Sequence, residues 1–497
     1  MLPDATDKAT LPESVDYAAR RGVVQVEANN ITNRGSLVAE GGRMTLNAIG
    51  DEATARIYLD EGSTTSVAGH WADVPLSDNL LTFNVTSNEL KNSPDQKLGV
   101  LRGATVTVDL RKSNPIFDLS GYIAAQARTV EQKAAAGGEL TITTPGSIIQ
   151  RAGATIDASG GGFRYGGGTP STTRLIGSDG KLYDIGTAQK DRFYASLADT
   201  FTRNYERWGQ KQVFSGLLYG IAPAEAGYLE GKAGGNIFLS SNGGLVLDGK
   251  LKGGVTVGPN QFANAPRGAA LKIGALNGEG NNFDEAQRIG QLTFVQSASN
   301  SLGSTFDAVT ALTQAQKDRF TLSSDQLFGR ALPPAAGTYA QDGFDSVEIY
   351  ANGRVSVPQG VSITGTPGSS FTVRSPEIDV AGTIAIPAGR ITLQPFATDR
   401  GVGVSSDGVF IASSATLSTA GLWINTSSPD GSFVGDPLPL GFSSGLTSTL
   451  NGGSITVGAT NQLGGPLLAR GAVIDVGGGA SFDRRGRVTN GNGGSIT

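Results

Sequence analysis

Four aspartates recur in one sequence context. Asp118 stands in Phe-Asp-Leu-Ser-Gly, Asp157 in Ile-Asp-Ala-Ser-Gly, Asp379 in Ile-Asp-Val-Ala-Gly and Asp475 in Ile-Asp-Val-Gly-Gly. Asp248, in Leu-Asp-Gly, approximates the pattern. Carboxylates on one face of a repetitive β-structure could flank a glycosidic bond or hold calcium. Either use needs them gathered at one place, and these are spread from position 118 to position 475. Recurrence in one context fits a turn better. An Asp at a strand end accepts hydrogen bonds from the N–H groups that follow, and glycine supplies the bend. Asp118, Asp157, Asp379 and Asp475 are therefore expected to be structural turn residues, and no catalytic residue is expected.

Other chemistries have less to work with. The chain of 497 residues has no cysteine and one histidine, His70. Disulfide scaffolds, zinc ribbons, iron–sulfur clusters and His-rich metal sites are thereby excluded. His70, beside Trp71, has no Asp and Ser constellation nearby and reads as a partly buried structural residue. The calcium repeat G-G-x-G-x-D is absent. No nucleophile elbow stands in a strand-to-helix context. Gly160-Gly161-Gly162 and Gly166-Gly167-Gly168 lack the Lys-Ser/Thr of a phosphate loop, so they read as turns. The net charge is −5, without the basic signature of nucleic-acid binding. No run of about 18 apolar residues occurs, so no transmembrane helix is expected. Neither a cofactor nor a metal is expected. Asp483-Arg484-Arg485-Gly486-Arg487 is a small basic spot that reads as a solvated turn. Asn30, Asn84 and Asn425 match the N-glycosylation acceptor pattern.

The elements that must position these residues are short strands. Gly22 to Ala48 alternates apolar and polar residues in runs of three to five, broken by Asn, Gly and Ser. The same pattern returns after Gly137-Gly138, Gly234-Gly235, Gly452-Gly453 and Gly493-Gly494. The gaps suit bends and are too short for helical crossovers. The period is roughly 20–25 residues, which indicates a solenoid. Three strands per turn with glycine corners predict an all-β, parallel β-helix with helical insertions.

The organisation follows. Residues 1–121 read as β-helix turns, 122–136 as a helical excursion and 137–162 as further turns. Residues 163–232 form an aromatic-rich insertion with a helix over 187–210. Turns resume over 233–280, and 281–342 is a partly helical insertion with helices over 283–291 and 311–328. Residues 343–497 are turns again. Loops inserted into a solenoid carry its individuality. Phe163, Arg164, Tyr165, Tyr205 and Trp208 are the candidate binding residues, through aromatic and cation–π contacts. The competing expectation is that the aromatics make a small core that fastens the insertion.

The Gly-Gly repeats, together with Ile156-Asp157-Ala158-Ser159-Gly160 through Gly168, Asp191-Arg192-Phe193-Tyr194 and Arg203 to Gly209, resemble the large filamentous haemagglutinin-type exoproteins of Gram-negative bacteria. The resemblance extends to Glu225 to Gly231, Leu322 to Asp325 and Gly343 to Val347, and spans most of the chain. It implies a right-handed parallel β-helix exported by two-partner secretion through an outer-membrane transporter. It also implies a secreted or cell-surface location and a role as an adhesin, or as the stalk of a contact-dependent toxin. Its partners would be the transporter during export and then a glycan or protein on a host cell or neighbouring bacterium. The family's secretion domain carries Asn-Pro motifs near its start. The only Asn-Pro here is Asn114-Pro115, so the chain reads as an internal segment. Absence of cysteine suits a chain threaded unfolded through a pore.

The expected function is thus non-catalytic attachment by a surface filament. The alternative from another class is a carbohydrate-active β-helix enzyme, a polysaccharide lyase or hydrolase or a tailspike-like depolymerase. Clustering of Asp or Glu with Arg in one groove would favour that alternative.

Overall fold

The computed structural model describes residues 22–125, 129–198, 201–205, 208–214, 224–261, 264–274, 291–297, 300–328, 331–332, 339–341, 343–395, 408–425, 447–458, 466–483 and 485–497. The chain divides into two compact units. One comprises Met1–Ala72, Val130–Gly162 and Leu229–Thr497; the other comprises Asp73–Thr129 and Phe163–Tyr228.

The larger unit is a parallel β-helix. Among the described residues its longest sheet has ten strands, from Val23–Ala28 to Ser495–Ile496. Every pairing in it is parallel. Each of these strands opens a coil. A second face begins with Asn30–Asn33, Arg56–Leu59, Ser147–Gln150 and Gly244–Leu247. A third begins with Ser36–Val38, Thr64–Ser66, Thr155–Asp157 and Lys250–Lys252. The shortest coils take 20 residues: Asn47 lies beside Glu27, and Arg390 beside Ser370.

Alternation builds these strands. In Arg43–Ala48, Met44, Leu46 and Ala48 point inward and are fully buried, while Arg43, Thr45 and Asn47 face out. Register then stacks like on like. Val24, Met44, Leu140, Ile237, Leu271 and Val347 pair in sequence, and Phe371, Ile391, Ile455 and Ile496 continue the column. Each buried Leu or Ile contributes about 1.5–3 kcal/mol relative to exposure.

Glycine sets the corner before the long sheet. The Gly42 carbonyl accepts from Glu139 N–H at 2.8 Å, and the Gly138 carbonyl accepts from Asn236 N–H at 2.8 Å. A Cβ on Gly138 would run into the Gly42 carbonyl oxygen, and one on Gly235 into that of Gly138. Gly453 and Gly494 repeat the arrangement against Gly389 and Gly453. Coils therefore touch backbone to backbone here.

The stack thickens midway. Ala270–Ile273 pairs directly with Ser346–Tyr350 on the long sheet. Over the same interval the second face holds two strands, with Gln291–Val295 between Arg319–Ser323 and Arg354–Val357. The later strand thus lies out of chain order. Phenylalanines fill the interior at this level: Phe294, Phe320, Phe328, Phe344 and Phe371 are all buried. Phe294 and Phe371 meet edge to face at 5.8 Å. The Gln296 side chain ties the level together, donating to Asp325 Oδ1 at 2.6 Å and accepting from Ser362 N–H at 2.9 Å. Residues 300–312 cross the outside of the second face, where Leu302, Phe306 and Leu312 cover Tyr58, Ile149 and Val246. Arg151 donates to the Phe306 and Gly303 carbonyls at 2.8 and 2.7 Å.

Several sequence expectations are corrected. The β-helix turns expected over 1–121 stop at Ala72, because Asp73–Thr129 belongs to the second unit. Helical turns do stand at Ser120–Ala125 and Val130–Lys133. The helix expected over 187–210 is absent among the described residues, which form strands at Tyr194–Leu197 and Phe201–Tyr205. Tyr194–Leu197 pairs antiparallel with Arg174–Gly177, and that pairing makes the segment a strand. The helix expected over 311–328 shrinks to Gln314–Asp318, capped by Thr313 and Gln316. Phe320 and Leu322 then alternate inward on a strand. The expectation for 283–291 lies outside the described residues except at Gln291, which starts a strand.

Close approach and left-handed backbone can be separated by substitution. Gly138→Ala should destabilise the chain by more than about 3 kcal/mol, as steric insertion into a packed core does. Gly62 has φ +76 with open space around it, so Gly62→Ala should cost only about 1–2 kcal/mol. Urea unfolding of both variants measures the difference; equal costs would refute the stacked-glycine account.

Candidate functional site

The recurring aspartates take three different roles. Asp157 and Asp475 end third-face strands, and each accepts from the N–H two residues on, Ser159 and Gly477, at 2.8 Å. Ser66 and Ser418 pair beside them in the ladder and use their hydroxyls in the same way, toward Ala68 and Ala420. The position is a turn cap filled by Asp or Ser. Asp118 lies in the second unit, where it accepts from Ser120 N–H at 2.9 Å before a helical turn and pairs with Lys91. Hydrogen bonds from Lys91 and Ser120 hold its carboxyl well below the ordinary carboxylate range.

Asp379 does not cap a turn as expected. The N–H groups of Ala381 and Gly382 go to the Val357 carbonyl at 2.8 and 3.0 Å. The Asp379 side chain faces sideways instead, with Arg354 Nε at 3.3 Å from its Oδ2. Arg354 also pairs with Glu377, two residues earlier on the same strand. Burial pushes the Asp379 carboxyl up against the opposing pull of Arg354, and Glu377 adds to the rise. Here the β-helix gathers two carboxylates and an arginine on one outer face.

The second unit has its own core, assembled from both of its chain segments. Phe83, Leu101, Val108 and Phe117 come from the first segment; Leu175, Ile185 and Tyr194 come from the second. Thr173 N–H donates to the Thr107 carbonyl at 2.8 Å. A charge network joins the same segments. Arg111 grips the fully buried Asp109 through Nε and Nη2, at 2.9 and 2.6 Å. Its Nη2 also reaches Glu225 Oε2 at 2.8 Å. Lys112 lies 3.4 Å from Asp184, whose other oxygen accepts from Gly186 N–H. Asn114, at φ 45, donates to the carbonyls of Asp109 and Lys112 and shapes this turn. Sequence reasoning missed the network. Arg111 and Glu225 stand 114 residues apart, and nothing in either neighbourhood marks the other.

The expected binding residues separate. Phe163 is 9% exposed and meets Tyr165 edge to face at 6.1 Å. Tyr165 stacks on Tyr228 at 4.7 Å, so these rings are committed to packing. Arg164 makes a long, exposed ion pair with Asp73 at 3.5 Å. Tyr205 ends a strand that pairs antiparallel with Gln210–Phe214, and its side chain lies outside the described residues. Trp208 sits in the intervening turn and is 76% exposed. Phe193, in the same insertion, is 65% exposed. Next to it, Arg192 lies 4.8 Å over the Tyr183 ring and bonds Asp179 at 3.0 Å.

Smaller expectations also have positions. His70 Nδ1 lies 2.9 Å from Glu40 Oε2. Asp483 accepts from the N–H groups of Arg485 and Arg487 and pairs with the Arg487 guanidinium, so the basic spot is a turn. Asn30 and Asn84 are exposed. Among the described residues no group of three His, Asp or Glu is placed to hold a metal, and no helix is long and apolar enough to cross a membrane.

The Asp109 network makes the second unit sensitive to acid. Burial raises the Asp109 carboxyl, but hydrogen bonds from Arg111 and the charges of Arg111 and Lys112 outweigh it, leaving the group below its ordinary value. A depressed folded value contributes stability above the unfolded value of about 4, and that stability is lost as pH falls through the folded one. Melting temperature should therefore drop more steeply between pH 5 and pH 2, roughly the range of this linkage, in the natural chain than in Asp109→Asn. At pH 7 that variant should lose about 3–5 kcal/mol, as broken buried pairs do. Calorimetry across pH measures both; parallel pH profiles would show that Asp109 contributes nothing to acid sensitivity.

Comparison of the chain with protein-family models, with curated proteins and with solved structures gives no match.

Proposed function

We propose that the chain is a segment of a secreted or surface-attached filamentous adhesin of a Gram-negative bacterium, acting by shape and surface rather than by catalysis. One observation carries this reading: a long parallel β-stack is elaborated by a unit with its own core that exposes Trp208 and Phe193. Exposed aromatics of this kind anchor interfaces. The partner is a glycan or protein on a host cell or neighbouring bacterium. Export through an outer-membrane two-partner transporter is supported by two features. The chain has no cysteine. A solenoid coil needs only its neighbour in order to fold, which suits a chain that emerges progressively.

Replacing 73–129 and 163–228 by short glycine–serine linkers tests the reading. The β-sheet circular-dichroism signal should persist while adherence of the purified chain to cells is reduced. Trp208→Ala alone should weaken adherence, by about 2 kcal/mol if it is an anchor. Unchanged adherence after removal of both segments would place the binding element on the β-helix faces.

A second reading, a carbohydrate-active enzyme, has the Arg354, Glu377 and Asp379 group behind it. Alternate residues of a strand lie about 6.6 Å apart, near the spacing an inverting carboxylate pair requires. Against it, Arg354 is bonded to both carboxylates. Pectin, alginate, hyaluronan and lipopolysaccharide glycans can be screened for cleavage. No turnover is expected; turnover abolished by Asp379→Asn would replace the adhesin reading with the enzymatic one.

A further inference from the structure

The first outward position of each long-sheet strand forms a column. Toward the C-terminal coils it runs Ser346, Ser370, Arg390, Ser454 and Ser495, in direct register. Earlier in the same column Arg43 is neutralised by Glu139, Nε to Oε2 at 2.9 Å. Arg390 is different. Its ladder neighbours are serines, it is exposed, and among the described residues no carboxylate engages it.

Arg390 borders an open dent of about 300 Å³. Ser370, Ser454 and the glycines Gly368, Gly389 and Gly453 line it with Arg390. Gly389 and Gly453 are close-contact corners, where a Cβ would meet the Ser369 and Gly389 carbonyl oxygens, so the polar side chains that reach the dent are those of Arg390 and the serines. Ser370 Oγ donates to Ser346 Oγ at 3.0 Å, which leaves its own lone pairs for another donor. Asp345, the carboxylate at this corner, is taken by Gly268 N–H and Thr366 Oγ1, each at 2.8 Å. Arg267 donates to the Gly368 carbonyl at 3.0 Å and lies 3.9 Å from Asp345. Ala388, also in the lining, holds a left-handed backbone at φ 52.

We propose that this dent binds the carboxylate of an acidic sugar, a hexuronate unit of an anionic glycan. The inference rests on the adhesin reading and names a ligand class for it. A planar guanidinium takes a carboxylate through two parallel hydrogen bonds. Serine hydroxyls sit one strand spacing away on either side, about 4.8 Å, where ring hydroxyls of the same sugar can meet them. One uncommitted cation matches a monoanion. A phosphate monoester carries nearly two charges and would call for a second cation, yet Arg267 is already engaged. The dent is open to solvent, which suits one unit of a chain that continues past it.

The test is titration of the full chain with trigalacturonate, the neutral galactose trimer and inorganic phosphate at low salt, followed by calorimetry. Trigalacturonate should bind and the neutral trimer should not. Arg390→Gln should weaken trigalacturonate binding by about tenfold or more, the loss expected for a charge-assisted hydrogen bond. Arg390→Lys should retain part of the binding, since it keeps the charge without the fork. Arg43→Gln, on the same column, should leave it unchanged. Circular dichroism checks that each variant is folded. Unchanged affinity in Arg390→Gln, equal loss in Arg43→Gln, or equal binding of the neutral trimer would overturn the site. Phosphate binding as tight as trigalacturonate would overturn the carboxylate assignment. Adherence without uronate binding would refute this proposal alone; uronate binding without adherence would refute the adhesin reading alone.

Discussion

The fold depends on the backbone contact at the glycine corner. The carbonyl of one coil lies against the Cα of the next, at Gly42 and Gly138, at Gly138 and Gly235, and at Gly389 and Gly453. No side chain fits between them. The contact brings the following strands to ladder distance, and the carbonyl accepts the first N–H of the next strand. Register is then fixed to the residue, because a one-residue slip would turn the Met44, Leu140 and Ile237 column out to solvent. The outward partnerships are consequences of that register. Arg43 meets Glu139, Thr143 donates to Asn47, and Arg354 reaches both Glu377 and Asp379.

A stack with fixed corners can release chain between coils at modest cost. Glu27 and Asn47 are 20 residues apart, whereas Arg43 and Glu139, on the next pair of strands, are 96 apart. Closing the longer loop adds only a slowly growing entropy term. The released segments 73–129 and 163–228 recover that cost through a shared core and the Asp109–Arg111–Glu225 network. Neither segment holds the complete core, so each buries its apolar side chains against the other. Residues 300–323 use a different solution. They cover the outside of the second face with Leu302, Phe306 and Leu312, then add a strand to it.

Identical motifs acquire different chemistry from their neighbours. Asp157 and Asp475 spend their carboxylates on the turn that follows, and a serine does the same work one coil away. Asp379 likewise follows an Ile and has a Gly three residues on, but the Val357 carbonyl has already taken the turn's N–H groups. Its carboxylate therefore turns to Arg354 and bears the cost of partial burial. The arginines divide similarly: Arg43 is paired across the ladder, and Arg390 stands among serines.

Sequence by itself determined the fold class. Alternation within Arg43–Ala48 and the Gly-Gly corners are local properties, and a strand with glycine ends has one economical way to repeat. The turn role of Asp157 and Asp475 was legible for the same reason, since donor and acceptor lie two residues apart. Helices were over-read at 187–210 and 311–328. Mixed charges and aromatics in a short window imitate helical spacing, and only pairing with Arg174–Gly177 and Gln291–Val295 makes them strands. Tertiary structure alone decided the rest. It joined 73–129 to 163–228, placed Arg319–Ser323 out of chain order, packed Phe163 and Tyr165 while leaving Trp208 exposed, and left Arg390 beside serines. Each of these depends on residues tens to more than a hundred positions apart, and pairing at that range leaves no mark on the local pattern.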